Sequence, residues 1–190
     1  MKQLHQLVLR CSQNGWLFGG ALLGFVLTLL ALLQVGERFA AVTQGAEPFD
    51  LQNELTLTAI FAQLPTYSDL SRRLYLLFTF IDYLFPLCAG LWVAGAAAFF
   101  LRHAAPTLYQ WLVQRQGFLL LLLPTFFDWA ENLTGAALIY VVPTARWLAT
   151  LLLLCKQAKL GTLYMTQGLV VLLALYSGVI WWRKRTINPR

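Results

Sequence analysis

Four stretches of this 190-residue chain, Trp16–Val35, Leu74–Leu101, Gly117–Val142 and Leu160–Trp182, are almost continuously apolar. Each is long enough to cross a bilayer, which takes about 20 helical residues rising about 1.5 Å apiece. Inside hydrocarbon every backbone polar group must be satisfied within the protein, so only helices and closed barrels cross. Barrel strands alternate apolar and polar residues, and these runs do not. Charged residues make up 12% of the chain, half of the roughly 25% usual in soluble domains, and mean hydropathy is +0.64. The expectation is an all-α, integral membrane four-helix antiparallel bundle. It forms one transmembrane domain over residues 1–190, with spans at about 16–35, 74–101, 117–142 and 160–182 and an outer loop at 36–73.

The first run follows a basic segment (Lys2, Arg10), as a signal peptide would. It is too long for an h-region, and no small-x-small cleavage site follows at Val35–Phe39. It therefore reads as an uncleaved span. Cys11 is not in a lipoprotein context. Cys11, Cys88 and Cys155 are far apart, which excludes the paired-cysteine chemistry of four-span quinone-linked disulfide oxidases.

The positive-inside rule sets orientation. With both termini cytoplasmic, the inner set is Lys2, Arg10, Arg102, Arg115, Arg183, Lys184, Arg185 and Arg190, against Arg38, Arg72, Arg73, Arg146, Lys156 and Lys159 outside. Glu37, Glu47, Asp50, Glu54 and Asp69 all fall in the first outer loop. Trp16, Trp111, Trp181 and Trp182 mark the inner interface and Trp147 the outer. The expected location is a bacterial inner membrane, multi-pass. The net charge of +6 then belongs to lipid-facing tails, and the partner is the bilayer. No basic stripe interleaved with aromatics supports a nucleic-acid role.

In the outer loop, Asp50–Leu64 reads as a short amphipathic helix with Asp50 as N-cap and Pro65 ending it; the alternation at Glu54–Ala59 also fits a strand. Such a segment lies along the membrane face or folds over the bundle as a lid. Ser68 is placed to cap the second span. Trp147–Cys155 is an interfacial helix or an extension of the fourth span. Gly20 and Gly24, with Ala94 and Ala98, give small-x-x-x-small patterns for close helix packing, within the bundle or in a homodimer.

The third span carries Asp128, Glu131 and Asn132. Their i, i+3, i+4 spacing puts all three on one helix face. The second span carries Asp82 four residues before Pro86. Proline has no N–H to give the carbonyl four residues back, so the Asp82 carbonyl and carboxylate both need partners beside a kink. Helical rise puts Asp82 about 12 Å below the outer surface and Asp128 and Glu131 about 9–14 Å below it. All three acids meet in the outer half. An ionised acid facing lipid costs roughly 2.5–3.5 kcal/mol, so they face one another, water or cations. Countercharges stand at the outer edge: Lys159 foremost, then Lys156, Arg72, Arg73 and Arg146. Asn132 can donate to a carboxylate, and Tyr83 and Thr134 supply hydroxyls if turned inward.

Carboxylates, an amide and a free carbonyl suit a hard divalent cation, with Asp82, Asp128 and Glu131 as ligands. Close carboxylates also suit proton transfer, and a polar knot that fixes helix register is the structural alternative. His5 and His103 lie outside the spans and make no intramembrane haem site; no zinc set, nucleotide motif or serine–base pair is present. The Asp-Trp-x-Glu run faintly resembles one in the alkaline ceramidases, but their seven spans and histidine-rich zinc site are missing here, and that reading is discarded. The Asp82-x-x-Phe85-Pro86 and Asp128-x-x-Glu131-Asn132 motifs, with Pro65-Thr66-Tyr67-Ser68 and a lysine near the start of the fourth span, resemble a group of small bacterial four-span membrane proteins without an established activity. The resemblance covers most of residues 60–182 and implies a shared topology and polar cluster. Three functions are expected from these residues: binding of a cation or a small polar or amphipathic ligand for transport, sensing or assembly; enzymatic action on a lipid or isoprenoid headgroup through Asp128 or Glu131; or scaffolding in a larger membrane complex.

Overall fold

A computed structural model describes residues 1–187, with side chains described through Arg183. It contains seven α-helices, three short 3₁₀ segments and no strand among the described residues. Helix α1 (Lys2–Gln13) buries His5, Val8, Cys11 and Ser12, the i, i+3, i+4 stripe of an amphipathic helix. Asn14 is extended; it ends α1 and caps α2 (Gly15–Val42), its side chain accepting from Trp16 N (2.9 Å). The first run was expected to begin at Trp16 after a basic segment, for which no helix was read. The helical periodicity of residues 4–12 was the unused clue.

The turn after α2 uses positive φ at Gln44 (57°) and Gly45 (101°). A 3₁₀ turn at Phe49–Leu51 and helix α3 (Leu57–Gln63) follow. The helix expected from Asp50 thus starts later, capped by Thr56, whose side chain accepts from Ala59 N. No strand forms at 54–59. Phe49, Leu55, Ile60, Leu64 and Tyr67 pack into one apolar core with Tyr75, Leu138 and Leu152. Paired amide bonds between Gln52 and Gln63 (2.9 and 3.0 Å) tie the 3₁₀ turn to α3. The loop is therefore a folded lid over one end of the bundle.

Ser68 caps α4 (Asp69–Ala104), accepting from Ser71 N at 3.2 Å. This helix is the hub and packs against α1, α2, the later helices α6 and α7, and the 3₁₀ segment before α6. Close approach is bought by small residues. A Cβ on Gly24 would lie 2.8 Å from Cys88 Sγ, and one on Gly90 2.6 Å from Thr125 Oγ1. Gly20 has open space, so only half of the Gly20–Gly24 pattern is used within the chain.

Helix α5 (Pro106–Gln114) and a 3₁₀ segment (Gly117–Leu122) lead into α6 (Leu123–Tyr140). The expected continuous third span is broken because Pro124, in the first turn of α6, has no N–H for the carbonyl of Leu120. Leu123 N donates to that oxygen instead, in a tighter 3₁₀ bond. Helix α7 (Arg146–Ile187) is unbroken, so Trp147–Cys155 extends the fourth run. Three helices, Gly15–Val42, Asp69–Ala104 and Arg146–Arg183, are long and apolar enough to cross a membrane. Helix α6 is not among them, because its 18 residues include Asp128, Glu131 and Asn132. Leucines on α2 and α7 stay exposed, Leu27 at 56% and Leu172 at 65%.

Candidate functional site

Helix α6 buries Thr125, Asp128, Glu131, Asn132, Gly135, Leu138 and Ile139. This single face contains every charge the helix carries, and it turns toward α4 and α7. The apolar ends of the stretch formed by the 3₁₀ segment and α6 lie in two different cores. Leu138 and Ile139 pack under the lid, while Leu121 and Leu122 pack with α1 and the far end of α4. The acids occupy the layer between them. Asp82, on the buried face of α4 between Tyr75 and Leu91, sits in the same layer.

The structure joins the expected residues directly. Asn132 Nδ2 donates to Asp82 Oδ2 at 2.8 Å and to Asp128 Oδ2 at 3.4 Å. Lys159 Nζ lies 2.9 Å from Asp128 Oδ1 and 2.7 Å from Glu131 Oε2. Lys156 Nζ is 3.3 Å from Glu131 Oε1. The two lysines, three apart on α7, reach the cluster from one face.

Asp50 was expected only as a helix cap. It is instead a fourth acid of the site, ion-paired with Lys159. Lys156 Nζ holds the lid from below, donating to the carbonyls of Phe49 (3.0 Å) and Asp50 (2.7 Å). Carboxylate oxygens of Asp50, Asp82 and Asp128 lie within 4.8 Å of one another. Four carboxylates face two ammonium groups, a formal excess of two negative charges. Nothing local in the sequence marked Asp50, whereas the Lys156–Lys159 spacing was a usable sign that both lysines point inward.

Arg72 and Arg73 do not join the cluster. Arg72 donates to the carbonyls of Tyr67 (3.4 Å) and Ile139 (3.3 Å), tying the lid to the end of α6. Arg73 and Arg146 are exposed. The Thr134 hydroxyl bonds to Ala130 O and Glu131 O of its own helix. Tyr83 contributes its carbonyl, which accepts from Trp129 Nε1 at 2.9 Å. With Thr125 Oγ1 on Pro86 O at 2.8 Å, α6 supplies two donors to the α4 backbone around Pro86. The carbonyl expected to be freed by Pro86, that of Asp82, is thus not where these donors go: they reach the carbonyls of Tyr83 and Pro86. Gly135 matters for a different reason. A Cβ there would lie 2.7 Å from the Tyr75 hydroxyl, so only glycine lets that ring reach the wall of the site.

Burial alone would push the Asp50 carboxyl up, but Lys159 and then Lys156, with a hydrogen bond involving Glu131, more than offset it and hold it below its ordinary range. A group depressed in the folded state stabilises fully above its unfolded pKa and loses that contribution as pH falls through the folded value. Amide protection of residues 43–56, measured by hydrogen exchange corrected for intrinsic rate, is therefore expected to hold from neutrality down to about pH 4, the usual aspartate pKa, and to fall only below it. Loss of protection well above that pH would show that the Asp50–Lys159 pair does not fasten the lid.

No family model, curated protein or solved structure matches this chain.

Proposed function

We propose that this is a multi-pass membrane protein whose buried acidic centre binds a hard divalent cation, reached from beneath the lid. The observation that carries the reading is the convergence of Asp50, Asp82 and Asp128, from three separate segments, with carboxylate oxygens within 4.8 Å. Two oxygens bound to one Ca²⁺ at about 2.3–2.6 Å are no more than about 5 Å apart, so these oxygens are close enough to share one ion, which would displace the Lys159 ammonium from its contacts with Asp50 and Asp128. A divalent charge also offsets the excess of carboxylates over lysines.

The membrane part rests on the three long apolar helices and on a fourth crossing made jointly by the 3₁₀ segment and α6. Together these two rise about 39 Å, more than the roughly 30 Å hydrocarbon layer. The polar face of α6 is turned inward, so it need not meet lipid. Both termini are cytoplasmic on this reading, the lid is outside, and the membrane is a bacterial inner membrane. Transport or sensing of the cation follows from the lid.

The test is thermal. Ca²⁺ or Mg²⁺ is expected to raise the melting temperature of the detergent-purified protein over that in chelator, and to leave Asp82→Asn and Asp128→Asn unmoved. Equal shifts in parent and variants would overturn the reading. A second reading, a structural knot joining lid, α6 and α7, is favoured by the lysine partners that Asp50, Asp128 and Glu131 already have. It predicts no cation shift in any of them.

A further inference from the structure

At the end of the molecule away from the lid, the chain is extended at Asn14 between α1 and α2, and Gly15 leaves no side chain in the corner: a Cβ there would meet nothing within 4 Å. The gap is a cavity of about 410 Å³ between α1, the start of α2 and the last turns of α4. That is within the roughly 300–1,000 Å³ of ligand sites. Its wall is apolar, from Phe18, Ala96, Phe99 and Phe100, and Arg102 is its one charged residue. The guanidinium is held in place: Nη2 donates to Ser12 O at 3.2 Å and Cζ lies 5.8 Å from the Phe99 ring centre. Of the five N–H donors on an arginine fork, that leaves some for a ligand.

The charge around the cavity has one sign. The eight acidic residues all fall within 37–82 or 128–131, in the lid, its flanks or the polar cluster. Along α4 the acid nearest to Arg102 is Asp82, about 30 Å away by helical rise. Lys2 and Arg10 lie on α1, Arg115 ends α5 just after α4, and Arg183 lies near the end of α7. An apolar trough with one arginine in its wall, at an end of α4 far from every acid on that helix, fits one occupant: a phospholipid with an anionic headgroup. Its acyl chain would lie against the phenylalanines and its phosphate on Arg102, since guanidinium forks bind phosphate bidentately and basic rims attract anionic leaflets.

We propose that this cavity is a specific anionic-lipid site at the inner leaflet. The inference rests on the membrane reading and is independent of the cation site. The experiment is native mass spectrometry of protein delipidated in mild detergent, then given equal amounts of phosphatidylglycerol or phosphatidylcholine. The parent is expected to retain phosphatidylglycerol about tenfold better, because both phosphates can accept from Arg102 but only phosphatidylcholine brings a quaternary ammonium that the guanidinium repels. Arg102→Gln should erase that preference. Ala96→Phe, which fills the trough without altering charge, should lower retention of both lipids. Equal retention of the two lipids by the parent, or undiminished phosphatidylglycerol in either folded variant, would overturn the site. Release of the chain from membranes by a carbonate wash would instead overturn the crossing topology.

Discussion

Lys159→Met is expected to be the most damaging single substitution in the polar centre. Its ammonium touches Asp50, Asp128 and Glu131 at once, and its side chain is 12% exposed. Methionine keeps most of the volume and removes the charge. Taking one partner from a buried ion pair costs about 3–5 kcal/mol, because the remaining charge is left uncompensated. Here three carboxylates lose a shared partner, and only Lys156, 3.3 Å from Glu131, stays near. In chelator the variant should therefore melt far below the parent. The cation reading adds a second expectation. Formal excess charge rises from two to three, so Ca²⁺ should restore more stability to Lys159→Met than it adds to the parent. Adding Asp50→Asn to the variant should recover part of the loss, since a neutral amide relieves the repulsion. A melting temperature in chelator equal to that of the parent would mean that the ion pairs contribute nothing; a large loss with no rescue by cation or by Asp50→Asn would assign Lys159 to packing alone.

How much of this was legible depends on the range over which each residue acts. Asp128, Glu131 and Asn132 could be placed on one face because helical spacing is local. Their meeting with Asp82 followed from rise per residue alone, since antiparallel helices in a layer of fixed thickness put equal depths side by side. Ser68 was readable as a cap for the same local reason. Asp50 was not, because its position is set by Phe49 entering a core built from α4, α6 and α7. The broken third run was half legible: Pro124 was visible, but whether a proline opens a helix or interrupts one depends on where the helix starts, which the continuous apolar run did not show. Arg72 shows the opposite failure. A charge at the outer edge of the second span was offered as a countercharge, and the backbone carbonyls of Tyr67 and Ile139 are the acceptors it takes.

Phe49→Ala is expected to open the lid without unfolding the bundle. The ring is fully buried and packs edge-on against Tyr75, centroids 5.7 Å apart, and beside Tyr67 at 6.0 Å. Truncating a buried phenylalanine costs about 3–5 kcal/mol. Where that loss appears depends on what else holds residues 43–56. Their ties to the bundle include the Phe49 ring, the Asp50–Lys159 pair and the two carbonyl bonds from Lys156. The ring keeps those carbonyls in register with Lys156, so its removal weakens all three together. Helices α4 and α6 keep their mutual contacts, with Gly90 against Thr125 and Trp129 on the Tyr83 carbonyl. The loss should thus be local: hydrogen exchange across 43–56 should speed up by at least about a hundredfold, which is about 2.7 kcal/mol of opening, while amides near Asp82 and Glu131 change little. Asp50→Asn, which removes the charge and keeps the ring, should open the same segment less. Uniform acceleration through α4 and α6 would mean that lid and bundle unfold as one unit, and the lid could then not serve as a separate gate to the acidic centre.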